Sequence, residues 1–233
     1  MTDRVGHLPA VVAHRGAWGA GIRENSLAAF ERAIDLGADM IEFDVRRTRD
    51  GQLIIFHDAE IAGRLVAGLT RSDLAAETGA LPPLLDEVLE LAAGRIALAV
   101  ELKEDVVDQV AAPLAGFPSG GGQLIVISFI DRVLAQLTEL TPQLRRGLLL
   151  EHSAQRAIQR ARACGATVVL PKMRLTDEQL IAAISAAGLT LVVWSFLAAK
   201  HAALLSDPRV GGVITDDVPG ALAARDASCL KLI

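Results

Sequence analysis

Residues 39–58 read Asp-Met-Ile-Glu-Phe-Asp-Val-Arg-Arg-Thr-Arg-Asp-Gly-Gln-Leu-Ile-Ile-Phe-His-Asp, setting two acids and a histidine into short apolar runs. The runs flank Asp50-Gly51, a pair that favours a tight hairpin because its glycine tolerates the positive φ such turns demand. With Asp50 and Gly51 as the central turn residues, Asp44 falls opposite His57. Side chains alternate along a strand, so Glu42 shares a face with Asp44, while Phe43 and Val45 turn towards apolar packing. One local element thus gathers two carboxylates and an imidazole on one side. Ionisable groups clustered on a buried element need partners, and a cation would supply one.

Outward from this hairpin the pattern is a strand followed by a helix, repeated. Upstream, Ala10 to His14 is a short buried run ended by Arg15-Gly16. Asn25-Ser26 offers an N-cap to a helix with Leu27, Phe30 and Ile34 on one face and Gly37 as its stop. Downstream, residues 59–82 are the least regular part, although Thr70-Arg71-Ser72-Asp73 suits a short helix start. A helix over Leu84 to Ala93 precedes the strand Ile96 to Leu102, which carries Glu101 near its end and Lys103 after it. Strands then begin near Leu124, Gly147, Thr167, Thr190 and Gly212, with helices between them, giving eight parallel-type strands when Leu53 to Phe56 is taken as the returning arm of the hairpin. This count predicts a single α/β domain over residues 1–233, a (β/α)8 TIM barrel with a small hairpin excursion after its second strand. On such a barrel His14, Glu42, Asp44, Glu101, Ser128, Glu151, Lys172, Trp194 and Asp216 all come to the C-terminal ends of strands, the face where barrel enzymes keep their chemistry.

Composition narrows the function. The chain has 233 residues, 52% of them hydrophobic, a formal net charge of -5 and no tyrosine. It can bury a barrel-sized core and offers no basic surface for nucleic acid. Residues 181–199 carry no charge, but the stretch breaks at Gly188 into a helix-period half and a β-branched half, so it reads as helix, turn and strand rather than a membrane span. Cys164 and Cys229 lack metal-ligand spacing, and the opening residues lack an apolar signal core, so a reducing cytoplasmic setting is expected. His7, His152 and His201 read as surface residues. Gly120-Gly121-Gly122 reads as a loop, since no Lys-Ser/Thr follows to make it a phosphate cradle.

Three carboxylates without thiolates, Glu42, Asp44 and Glu101, make a hard oxygen site suited to one divalent cation, Mg2+ or Ca2+. Two histidines at strand ends, His14 and His57, can divide proton transfer between them. Arg15 offers a forked donor to a phosphate, or a structural pair to an acid of the mouth, and Lys103 adds a second positive charge. Trp194 serves equally as barrel packing or as a wall for substrate. Together these groups suit phosphodiester cleavage.

Along the chain, Ala13-His14-Arg15-Gly16, Glu24-Asn25-Ser26 with Phe30, Gly37 to Val45, Thr48, Asp50-Gly51 and His57-Asp58 follow in order. Pro83 to Leu89, Glu101-Leu102-Lys103, Ser128-Phe129, Trp194-Ser195 and Gly212 to Asp216 continue the set. The ordered set resembles the signature of the glycerophosphodiester phosphodiesterases over nearly the whole chain. The resemblance implies hydrolysis of a small glycerophosphodiester to an alcohol and sn-glycerol 3-phosphate. His14 would be the general base, His57 the general acid, and Glu42, Asp44 and Glu101 the metal ligands; Arg15, Lys103 and Trp194 would contact substrate. Two departures stand out. Ala59 to Leu65 keeps little of the family's insertion after His-Asp, which implies a short lid, and Leu197 stands where the family has asparagine. A lysophospholipase D or sphingomyelinase D-like activity, and a barrel that binds a phosphorylated ligand without turnover, are the alternatives. Head group and oligomeric state are not legible.

Overall fold

A computed structural model describes residues 8–118 and 124–229, with the Cys229 side chain left out. The triple glycine and His7 therefore lie outside the described residues. In chain order the strands are β1 (Ala10–His14), β2 (Met40–Arg47), β3 (Leu53–Ile55), β4 (Glu60–Ile61), β5 (Arg64–Leu65), β6 (Ala97–Leu102), β7 (Leu124–Ser128), β8 (Arg145–Leu150), β9 (Val168–Pro171), β10 (Thr190–Val193) and β11 (Val210–Thr215). The helices are α1 (Leu27–Asp35), α2 (Arg71–Thr78), α3 (Leu85–Ala92), α4 (Val107–Ala115), α5 (Asp131–Leu140), α6 (Ala157–Ala163), α7 (Glu178–Ala186), α8 (Ala198–His201) and α9 (Val218–Cys229). Among the described residues, β1, β2 and β6 to β11 form a parallel sheet that closes through β1–β2, the eight-stranded (β/α)8 barrel expected from the alternation. The uncharged stretch after Ile181 divides between α7 and β10, and no helix of the described residues is long and apolar enough to cross a membrane.

Alternation within the strands builds the barrel in two layers. Residues pointing outward, such as Val11, Ile41, Phe43, Leu98, Val126, Leu148 and Val213, pack against the helices in one large cluster. Residues pointing inward, Val12, Ala99, Ile125, Ile127, Leu149, Val168, Leu170 and Ile214, fill the interior. Gly147 makes room there, since a Cβ at that position would meet Leu170 at 2.5 Å and Ile127 at 3.0 Å. Continued two residues at a time towards the C-terminal rim, these inward positions become His14, Glu101, Phe129, Glu151, Lys172 and Asp216. The floor of the mouth is therefore apolar and its rim polar, as the period of the strand dictates.

The hairpin differs from expectation by one residue. β3 pairs with β2 through Val45–Ile55, Arg46–Ile54 and Arg47–Leu53, and the amide of Phe56, not of His57, meets the Asp44 carbonyl, at 2.9 Å. The turn has three residues: Gly51 donates to the Thr48 carbonyl, Thr48 donates to that of Gln52, and Gly51 sits at φ +81°. A type I turn closed by a left-handed glycine uses the same Asp-Gly pair as a two-residue turn. The choice is made by packing, because this register puts Ile55 beside Val45 in the outer layer and Ile54 into a separate cluster with Val66, Leu69 and Leu74. Residues 59–82 are thus more ordered than their sequence suggests. They contain the β4–β5 hairpin and α2, whose Thr70–Asp73 capping box forms as expected.

Candidate active site

Three strand ends meet at the acidic part of the mouth. β1 places His14 beside Glu42 of β2, and β2 places Asp44 beside Glu101 of β6. Glu42, Asp44 and Glu101 are 2%, 1% and 6% exposed, and each contributes an oxygen such that these oxygens lie within 4.8 Å of one another. Three buried like charges at that spacing cannot all be ionised without a compensating cation. Burial, with Asp44 and Glu101 nearby, pushes the Glu42 carboxyl well above its usual range, and burial raises Glu101 to about 7. Burial also works against the charge of Asp44, but Lys103 and the Asn25 amide outweigh it and hold this carboxyl below its ordinary value.

Lys103 bridges two of the three acids. Its Nζ lies 3.1 Å from Asp44 Oδ1 and 2.8 Å from Glu101 Oε1. The second contact is off the hydrogen-bonding direction, so the buried Glu101 oxygen has an ion partner but no aligned donor. Asn25 donates from Nδ2 to Asp44 Oδ2 at 2.8 Å, which fixes the carboxylate from the side opposite Lys103's oxygen. An all-oxygen set with an under-satisfied buried member fits a hard divalent cation.

Two imidazoles lie near these carboxylates. His14 Nδ1 is 2.6 Å from Asp216 Oδ1, and its Nε2 is 3.9 Å from Glu42. An Asp216 carboxylate can only accept from Nδ1–H, so Nε2 is the ring nitrogen left to face Glu42. His57 Nδ1 meets Asp58 at 2.8 Å in the same way. Burial and the nearby Lys103 pull the His57 imidazole below its ordinary value, with Asp44 and Asp58 offsetting part of the shift. His57, Asp58, Arg46, Lys103, Phe129 and Glu151 line a cleft of about 270 Å3 that opens beside the carboxylates.

Arg15 takes a left-handed conformation, φ +56°, and its amide donates to Glu42 at 3.1 Å. Its guanidinium donates to Glu24 at 2.7 Å, with Nε 3.5 Å from Asp44, so the structural pairing with acids of the mouth is made. Trp194 donates its indole N–H to the Leu170 carbonyl at 2.8 Å and stacks edge-on against Phe129 at 5.6 Å, with the Lys172 ammonium 5.0 Å from its ring. It is tied to the wall of the barrel. Lys172 is in turn paired with Glu151 at 2.7 Å. The roles that went unassigned from sequence are those of Asn25, Asp58 and Asp216, which orient Asp44, His57 and His14. Asp216 was already legible at the rim, and only its pairing with His14 was not; the Asn25 contact crosses between the β1–α1 loop and β2 and leaves no periodic signal.

A closed (β/α)8 barrel carrying buried carboxylates, two oriented imidazoles and two cations at its C-terminal rim defines a barrel enzyme. The chain belongs to the glycerophosphoryl diester phosphodiesterase family, whose model matches residues 14–219. It is 27% identical over 231 residues to a glycerophosphodiester phosphodiesterase of Caldanaerobacter subterraneus, covering 89% of this chain and 93% of the relative. The crystal structure of a glycerophosphodiester phosphodiesterase from Agrobacterium tumefaciens superposes with a TM-score of 0.77 at 26% identity, over 93% of this chain and all of that one, 100%. The Thermotoga maritima enzyme shares the fold with a TM-score of 0.78 at 24% identity, over 94% and 99% of the two chains.

Proposed function

We propose that this protein hydrolyses glycerophosphodiesters to an alcohol and sn-glycerol 3-phosphate with the help of one divalent cation, Mg2+ or Ca2+. The observation that carries the proposal is the convergence of three carboxylate oxygens within 4.8 Å, with His14 beside Glu42 and His57 in the adjoining cleft. Glu42, Asp44 and Glu101 would hold the cation, which when bound supplies positive charge to a phosphate oxygen and lowers the pKa of a nearby hydroxyl.

His14, its Nδ1 proton held by Asp216, takes the proton of the glycerol 2-hydroxyl at Nε2 as that oxygen attacks phosphorus. The bond from phosphorus to the head-group oxygen breaks, and His57 gives that oxygen its proton, releasing the alcohol and leaving a cyclic glycerophosphate. Water opens the ring with the two imidazoles in exchanged roles, yielding glycerol 3-phosphate. Electrostatics in the free protein disfavour a charged His57. The phosphate anion of bound substrate restores the proton there. Arg15 and Lys103 face the same phosphate, and Trp194 bounds the mouth on the β10 side.

Release of glycerol 3-phosphate is measured with glycerophosphocholine and other head groups after chelation and after return of Mg2+ or Ca2+. Activity appears only with a cation. His14→Ala and His57→Ala each lose at least about a hundredfold in kcat on an alkyl head group while keeping native circular dichroism. Substantial turnover in chelator, or in either variant, overturns these roles. Comparison with the acylated analogue separates this activity from that of a lysophospholipase D.

A further inference from the structure

β2 runs beyond Asp44 to Arg47, and the alternation that turns Glu42 and Asp44 into the mouth turns Arg46 the same way. The Arg46 side chain is 13% exposed and lines the cleft with His57, Asp58 and Lys103. Its Nε donates to the backbone carbonyl of His57 at 2.9 Å. One guanidinium nitrogen, Nη1, lies 3.9 Å from Glu104 Oε2, while Glu104 Oε1 accepts from the amide of Arg47 at 2.7 Å. His57 stands one residue past the last rung of the hairpin, the Phe56–Asp44 bond. Among the described residues no ladder bond orders its carbonyl; the Arg46 side chain does. On the imidazole itself, the Nδ1 partner is Asp58, whose side chain is 69% exposed. An exposed neighbour on the same short segment holds a ring weakly, so the orientation of the ring depends on how firmly the main chain beneath it is anchored.

We propose that Arg46 is a positioning residue: its guanidinium, steadied by Glu104, clamps the carbonyl of His57 and so aims the imidazole at the departing head-group oxygen. This rests on His57 acting as the general acid. A planar fork can serve the His57 carbonyl and Glu104 together, which the point charge of a lysine cannot. The effect must therefore follow the need for a proton. An alkoxide leaving group requires His57 to be aimed, whereas a nitrophenolate departs without protonation.

The test measures kcat and KM on glycerophosphocholine and on the p-nitrophenyl ester of glycerol 3-phosphate. Native protein is compared with Arg46→Met, Arg46→Lys, Glu104→Gln and His57→Ala. Arg46→Met lowers kcat on glycerophosphocholine about 30-fold with KM within about threefold, and lowers the rate on the aryl ester by less than about threefold. Arg46→Lys shows most of that loss. Glu104→Gln shows a smaller loss with the same preference, and it decides the matter if Arg46→Met does not fold. Equal losses on both esters, a change carried by KM, or native rates on both overturn the role of Arg46. If His57→Ala itself falls equally on both esters, the acid role of His57 fails and the inference goes with it. If His57→Ala discriminates and the Arg46 and Glu104 variants do not, the role of Arg46 alone is wrong.

Discussion

Glu101 shows how burial and charge oppose each other at a single residue. Its carboxyl is raised from 4.5 to about 7, chiefly by burial, even with Lys103 beside it. A carboxyl that binds its proton more tightly in the folded chain contributes stability that is complete below about 4.5 and is lost as pH rises through about 7. The difference is worth on the order of 3 kcal/mol for an isolated group. Glu42 is shifted in the same direction. In chelator, the melting temperature is therefore expected to fall between pH 5 and pH 8. Glu101→Gln should flatten that fall and raise the melting temperature at pH 8 while weakening cation binding. An unchanged slope in the variant would show that the burial of this carboxyl is not what opposes folding at neutral pH. Histidines and acids of this kind were legible one by one from the sequence, because an ionisable residue inside an apolar strand is conspicuous. The groups that orient them, Asn25 for Asp44 and Arg46 for His57, were not, because polar residues in loops and near strand ends are common on surfaces too.

At the scale of elements, two glycines separate a local requirement from a tertiary one. Gly51 has φ +81° and open space around it, so its replacement meets only the cost of a left-handed backbone. Gly16 has φ +84°, and a Cβ there would also lie 2.8 Å from the backbone of Ala29 in α1. Gly51→Ala is expected to cost about 1 kcal/mol, and Gly16→Ala about 2–4 kcal/mol, by denaturant unfolding. Comparable costs would mean that α1 yields to the contact. The Gly16 substitution also pushes on the helix that follows Asn25, so a loss of cation affinity should accompany it. The hairpin teaches a related lesson. Asp50-Gly51 announces a turn, but two turn types share that pair, and they differ by one residue in register. Ile54 and Ile55, divided between the small cluster under residues 59–82 and the outer layer of the barrel, decide between them.

For the whole molecule, the repulsion gathered at the mouth makes the cation part of the folding balance. A cation that binds only the folded chain stabilises it by about 2.7 kcal/mol at a hundredfold excess over Kd. For a chain of this size that is a rise in melting temperature of roughly 5–10 °C. Titration of Mg2+ and of Ca2+ against chelated protein, followed by thermal denaturation, reads it directly. No rise with either ion would remove the three acids as a cation site. Further from the mouth, α9 is fastened back to the barrel by Arg225 on Asp39, whose carboxylate also accepts from the amide of Val11 at 2.7 Å, a pairing between opposite ends of the chain.

The sequence by itself determined the alternation of strands and helices, the inward and outward faces of each strand, and which residues at strand ends carry charge. All of these follow from periods of two or 3.6 residues and from caps and glycines that act on their immediate neighbours. Closure of the barrel decided the rest. Only when β2 meets β1 on one side and β6 on the other does His14 come beside Glu42 and Asp44 beside Glu101. The register of the hairpin, the hold of Asn25 on Asp44 and that of Arg46 on His57 depend on contacts made in space. A side chain's neighbours across a barrel leave no period in the chain that encodes them.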